Sequence, residues 1–235
     1  MSGATGDQRA DVAVISGGAM RRFLAEALPL FEQASRHKVS IQFGLTRDMK
    51  AAIEAGAAFD LALLPRSAID GLVQDGKVAA GSVKDAVRSL VGLMVRTGAA
   101  EPDISTVDAF KAALRQAGAI SYSKGPSGLY VVELLHRLGL AAEMEGKTVF
   151  AVGRPVGEVV ASGEAEIGMQ QIIENQPVTG AHLVGPLPAD LVNYVMYSAG
   201  LAPKAAGSAA ARAFVEFLAA PDAVRIIRAK GMEPA

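Results

Sequence analysis

The sequence predicts an α/β protein of two lobes, each a mainly parallel sheet flanked by helices, with a ligand cleft between them. Three observations lead there. Short apolar runs alternate with amphipathic stretches in β-α-β order from Asp11 to Gln74, and that order means parallel strands with right-handed crossovers. A second series of the same design opens at Ala119, and a late apolar run, Asn193 to Ser198, heads back toward the first. The expected division is residues 1–88 with 197–235 for lobe I and 89–196 for lobe II, the chain crossing near residue 90 and returning near residue 195.

Lobe I is organised around Asp11 to Lys38. Val12, Val14 and Ile15 read as a buried strand. Met20, Phe23, Leu24, Ala27, Phe31 and Ala34 recur at helical spacing and form one apolar stripe. Between strand and helix stand Ser16, Gly17, Gly18 and Ala19, where unpaired N–H groups and the positive end of the helix dipole suit an anion. An ordinary strand-to-helix turn is the alternative. Val39 to Phe43 is the second strand, and a helix over Arg47–Ala55 follows, with Thr46 as its expected N-cap and Gly56 as its end. Phe59 to Leu64 is the third strand, stopped by Pro65, and Ser67 to Gln74 is a short helix.

Ser89 to Val95 is a further strand, and the small, Pro-containing stretch Thr97 to Asp103 reads as an interdomain connector. A helix begins at Ser105 and runs to Gln116 behind a good N-cap. In lobe II, Ile120 to Ser123 is a strand, Lys124 to Gly128 a glycine-rich turn, and Leu129 to Leu138 a helix with Val131, Leu134, Leu135 and Leu138 on one face. Lys147 to Val152, Ala165 to Gln170 and Leu183 to Pro186 read as strands, and Pro155 to Ala161 as a helix. The run Ala210, Ala213, Phe214, Phe217 and Leu218 has the i, i+3, i+4, i+7, i+8 spacing of a core-facing helix, which Pro221 interrupts.

Composition narrows the function. With 235 residues and 51% hydrophobic content the chain can bury a large core, yet its apolar runs break before the ~18 residues of a membrane span. The charge balance is 23 Lys and Arg against 24 Asp and Glu. Without a basic patch, the counterion release that drives nucleic-acid binding is weak, so no nucleic-acid partner is expected. The absence of cysteine removes thiolate nucleophiles, zinc-thiolate sites and iron–sulfur clusters. His37, His136 and His182 lie in separate elements without ligand-like spacing, so no metal site and no cofactor are expected. The opening residues carry neither a basic n-region nor an apolar h-region; the protein either stays in the cell or has lost an export signal.

Six segments together resemble the molybdate-type members of the type II periplasmic solute-binding proteins of ABC transporters. In chain order they are SGGAM at Ser16, FGLTRDMKAAIEAG at Phe43, FDLALLP at Phe59, GPSGLYVVELLHRLGL at Gly125, VVASGEAEIGMQQ at Val159 and FVEFLAAPDAVRIIRAKGMEP at Phe214. The resemblance implies two α/β lobes that close over a small ligand, a tetrahedral oxyanion held by hydroxyls and backbone amides, a membrane permease as partner, and a periplasmic location. Carried onto this chain, it implies that Ser16, the amides of Gly17 to Ala19, and Thr46 bind from lobe I. The Ser127–Gly128 turn and the turn at Pro155 and Val156 then supply amides from lobe II. Neutral donors fit because burying charge in a closed cleft costs several kcal/mol. Where molybdate binders place a tyrosine, this chain has Gln170 and Gln171, amides that donate and accept and so suit an organic acid or polar solute as well as an oxyanion.

Several residues keep two readings. Arg47 can clamp a carboxylate or pair outward with Asp48. Lys124, beside Ser121 and Ser123, can meet a phosphate or carboxylate or stay solvated. Tyr122, Tyr130 and Tyr194 can line the pocket or sit in the core, Asn193 is a hinge candidate, and Glu143 and Glu145 read as a solvated turn. No G-x-S-x-G elbow, G-x-G-x-x-G or Walker pattern is present, so neither nucleophilic catalysis nor nucleotide binding is expected. The reading is a monomeric solute-binding protein for a small anionic or polar ligand. A cytoplasmic sensor of the same fold and an enzyme of unknown reaction are the alternatives.

Overall fold

The computed structural model describes residues 11–174, 178–192 and 194–235. The opening ten residues and the hinge candidate Asn193 lie outside the described residues. Contacts divide the chain into two compact units, Met1–Arg88 with Met196–Ala235, and Ser89–Val195.

Unit 1 opens with β1 (Asp11–Gly17), a 3₁₀ turn at Gly18–Met20, and α1 (Arg21–Ser35). Then come β2 (Lys38–Gly44), α2 (Thr46–Glu54), β3 (Leu61–Pro65), α3 (Arg66–Gln74) and the start of β4 (Lys84–Arg96). β1 lies between β2 and β3 and runs parallel to both, with Ser16 in register with Phe43 on one side and Leu63 on the other. Val12, Val14 and Ile15 are buried, as a central parallel strand requires. Phe23, Leu24, Ala27 and Phe31 of α1 are buried, while Ala34, the expected end of that stripe, is exposed. The helix stops at Ser35, and the next residue, Arg36, takes the left-handed conformation (φ 62°).

Within unit 2, β4 is followed by α4 (Val107–Gln116), β5 (Ile120–Ser123), α5 (Pro126–Arg137) and α6 (Ala141–Glu145). Next are β6 (Thr148–Ala151), α7 (Val156–Ala161), β7 (Ile167–Gln171) and β8 (Ala181–Pro186). β5 runs parallel to both β6 and β7, and β4 pairs antiparallel with β7 and β8. Leu93, Phe110, Leu114, Val131, Leu134 and Met169 anchor the core of this unit. The chain then returns to unit 1 through β9 (Tyr194–Leu201), antiparallel to β3, and ends with α8 (Ala209–Phe217), α9 (Pro221–Ala229) and β10 (Glu233–Pro234), which pairs with β4.

The α/β class holds, and four local readings change. Thr97–Asp103 is not a connector between domains: it lies inside unit 2, tied by the Thr97 amide to the Gly180 carbonyl at 2.9 Å. α5 begins at Pro126, three residues early, because proline is preset for the first turn of a helix. Thr46 is the first residue of α2, and the N-cap is Leu45, whose side chain cannot cap. The run holding Glu143 and Glu145 is helical, pinned by buried Met144, with both acids exposed. No helix among the described residues is long and apolar enough to cross a membrane.

Candidate functional site

In unit 1 the register of three parallel strands brings the carboxyl ends of β1 and β2 together, and with them the candidates Ser16, Gly17, Gly18, Ala19 and Thr46. Ser16 is fully buried and its hydroxyl donates to the Leu63 carbonyl at 3.1 Å, bracing β1 against β3. Gly17 has an ordinary extended backbone (φ −65°); its value is space. A Cβ there would stand 3.7 Å from the Thr46 hydroxyl and 3.7 Å from the Tyr197 ring, filling the cradle that the turn now leaves beside that hydroxyl. Gly18 is exposed and opens the 3₁₀ turn. Neither α1 nor α2 carries a side-chain cap, a feature they share with α3, α5, α6 and α9, while α4 and α8 are capped by the Thr106 and Ser208 hydroxyls. Helix starts left without a cap keep their positive end available to an anion. The Arg47 side chain is 84% exposed and pairs with Asp48 at 3.1 Å.

In unit 2 two turns follow neighbouring parallel strands. After β5, the Ser123 hydroxyl accepts the Gly125 amide at 3.1 Å and closes the turn. The first turn of α5 is folded so tightly onto β5 that a Cβ on Gly128 would lie 1.6 Å from the Ser123 carbonyl oxygen. Ser127 is buried, and α5 has no side-chain cap. Lys124 lies over the Phe150 ring at 4.9 Å. Tyr122 and Tyr130 are core residues, Tyr130 donating its hydroxyl to the Leu191 carbonyl, while Tyr194 is 44% exposed.

The second turn holds an arrangement that sequence reading missed. The Val156 amide, expected to face a ligand, donates to Gln170 Oε1 at 2.9 Å. Gln170 Nε2 donates to Glu174 Oε2 at 2.5 Å, and Gln171 Nε2 to Glu174 Oε1 at 3.2 Å. One carboxylate therefore orients both glutamines, and Gln170 in turn caps α7. Glu174 stands four residues after Gln170, and only the 3₁₀ turn at Ile172–Glu174 brings it back. Burial pushes its carboxyl above the ordinary range, opposed by the bond from Gln170. A folded state that holds the proton more tightly than the unfolded chain loses stability as pH rises through the ordinary carboxylate range and up to the raised value. Glu174→Gln, which cannot ionise but gives up one acceptor, is expected to be less stable than the parent under acid conditions. The gap should narrow or reverse toward neutral pH in urea unfolding at the two pH values. Parallel pH profiles for the two proteins would contradict the assignment.

Comparison with known proteins adds to this geometry. The family model for bacterial extracellular solute-binding proteins matches residues 12–233. The aconitate isomerase of a Pseudomonas species is 36% identical over 227 residues, covering 94% of this chain and 87% of that protein. The molybdate-binding protein ModA of Azotobacter vinelandii is 27% identical over 230 residues, covering 95% of this chain and 90% of ModA. The solved periplasmic molybdate-binding protein of Azotobacter vinelandii shares the fold, with a TM-score of 0.72 at 24% identity over 94% of this chain and 98% of that one.

Proposed function

We propose, from the premise that the chain belongs to the bacterial extracellular solute-binding protein family, that it captures a small anion, either a molybdate-like oxyanion or an organic acid. The capture uses the helix-start amides of Gly17–Ala19 and the Thr46 hydroxyl in one half, with Ser16 bracing the turn because its buried hydroxyl is committed to the Leu63 carbonyl, and the Ser123–Gly128 turn in the other. The two halves, residues 1–88 with 197–235 and 89–196, close on the solute by a hinge near residues 90 and 195, and a membrane permease of an ABC transporter receives it. The observation that carries this reading is the cradle at Gly17, where an absent side chain leaves room beside the Thr46 hydroxyl and next to helix starts without caps. Gln170, Gln171 and the Val156 turn form the polar wall of the second half rather than its principal donors, since the Val156 amide is already engaged.

The test is a thermal-shift screen of the full chain against molybdate, sulfate and a panel of organic acids. A ligand at 100 times its Kd is expected to stabilise by about 2.7 kcal/mol. Thr46→Val, which keeps the shape and removes the hydroxyl, is expected to weaken the hit by roughly tenfold or more, the worth of a hydrogen bond to a charged group. A panel in which no anion shifts the melting temperature would overturn the reading.

A second reading is favoured by the 36% identity to a protein named aconitate isomerase. On it the same turns hold the carboxylates of an unsaturated acid, and binding is followed by isomerisation. Incubating cis- or trans-aconitate with a small fraction of an equivalent of protein and following the vinyl proton by NMR separates the two. Interconversion makes it an isomerase, and saturable binding without interconversion leaves it a carrier.

A further inference from the structure

We infer that Tyr197 is a further anion-recognition residue of unit 1, its phenolic hydroxyl donating to an oxygen of the solute held at the Gly17 cradle. The inference rests on the proposed function and adds to its site a residue from the return strand.

Tyr197 belongs to β9 and stands opposite Pro65 at the end of β3, while β3 in turn pairs with β1. Gly17 ends β1, so the two backbones are separated by two strand spacings, roughly 9–10 Å. Only a long side chain bridges that gap, and the phenol does so. A Cβ on Gly17 would lie 3.7 Å from Tyr197 Cε1 and 3.7 Å from the Thr46 hydroxyl oxygen, with Leu64 behind at 4.0 Å. Cε1 is bonded to the carbon that bears the hydroxyl, so the phenolic end of the ring, not its root, faces the turn.

The chemistry of that edge suits an anion. An aromatic ring is negative on its faces and positive along its edge, and here an edge carbon borders the space. Tyr197 is 2% exposed, so bulk water competes little for the phenol, and a hydrogen bond made there to a charged oxygen is of the stronger kind. The other tyrosines are placed differently: Tyr122 meets the Phe150 ring edge-on, Tyr130 donates to the Leu191 carbonyl, and Tyr194 is 44% exposed. Unit 2 ends at Val195, and Tyr197 is the second residue of unit 1 after the return. A solute gripped by Tyr197 therefore also holds the strand on which the proposed hinge turns.

The experiment combines titration calorimetry with tyrosine emission on the full chain, adding molybdate, sulfate, citrate and acetate to the parent, Gly17→Ala and Tyr197→Phe. The protein has four tyrosines and no tryptophan, so an anion bound at the phenol is read directly in the emission. Phenylalanine keeps the ring, so Tyr197→Phe is expected to stay folded and to weaken the anion that binds the parent about 10- to 100-fold, the range for a hydrogen bond to a charged group. It should also lose most of the ligand-dependent emission change. The methyl of Gly17→Ala meets its neighbours at ordinary contact distance on an extended backbone, so that variant should fold as the parent does and lose binding because the cradle is filled. Parental affinity in Tyr197→Phe, or an emission change undiminished there, overturns the role of Tyr197; where Gly17→Ala has lost binding, the cradle and the proposed function stand. Parental affinity in Gly17→Ala overturns the cradle, and Tyr197 with it. A parent that binds none of the four, nor any anion of the wider panel, overturns the proposed function itself.

Discussion

Gly128→Ala is expected to lose measurable ligand binding and to destabilise unit 2 by about 1–3 kcal/mol, the usual cost of overpacking, with the upper end favoured here. The reason is what the added carbon meets. It would lie 1.6 Å from the Ser123 carbonyl oxygen and 2.6 Å from the carbonyl carbon, and both are backbone atoms of β5 rather than the tip of a flexible side chain. Relief requires moving the first turn of α5 off the strand, and the buried Ser127 and its neighbouring amides move with it. Gly125→Ala is the control. A Cβ there would approach only the Ser123 hydroxyl, at 3.4 Å, and its backbone is extended, so stability should change by a few tenths of a kcal/mol. Urea unfolding and calorimetry on both variants check this. A Gly128→Ala protein with parental stability and affinity would mean that α5 does not start against Ser123.

Phe214→Ala is expected to cost about 3–5 kcal/mol, the range for emptying a buried aromatic site. Phe214 is fully buried and meets Phe31 edge-on at 4.9 Å, with Phe217 tilted against Phe31 at 5.5 Å. These rings join α8 to α1, and α1 is the helix whose start forms the Ser16–Ala19 turn. The substitution leaves a cavity beneath that helix without touching the turn. Hydrogen exchange should accordingly accelerate in Arg21–Ser35 and Ala209–Phe217, while the amides of Ile120–Ser123 keep their protection. Uniform acceleration across both units, or no loss of stability in denaturant, would contradict the packing.

Period and punctuation in the sequence account for most of what it revealed. A short continuous apolar run such as LALLP, closed by proline, reads as a buried strand and is one, and the spacing from Ala210 to Leu218 reads as a helix with one buried face and is one. Glycines and serines at strand ends then marked the turns. Features that depend on neighbours distant in the chain were illegible. Nothing local says that Phe43 lies beside Ser16 and beneath Arg21, because the β1–β2 register sets that. Likewise the Val156 amide looked available until Gln170, held by Glu174, was seen to occupy it. Thr46 misled for a different reason: a hydroxyl before a helix reads as a cap, yet here the helix begins one residue earlier and the hydroxyl turns toward Gly17.

The discontinuous path of unit 1 has a consequence for synthesis on the ribosome. β3 takes its antiparallel neighbour from β9, with Pro65 opposite Tyr197, roughly 130 residues later. At ~5–20 residues per second that is about 7 to 26 s of translation. Throughout that interval a strand buried along its whole length in the finished protein has one bare edge, and Phe31 has no Phe214 to cover it. Such edges recruit other chains, so the nascent protein is a natural client for ribosome-associated chaperones. Slowing elongation between residues 66 and 197 should raise the insoluble fraction, whereas a circular permutant that begins at Met196 and shortens the wait should lower it.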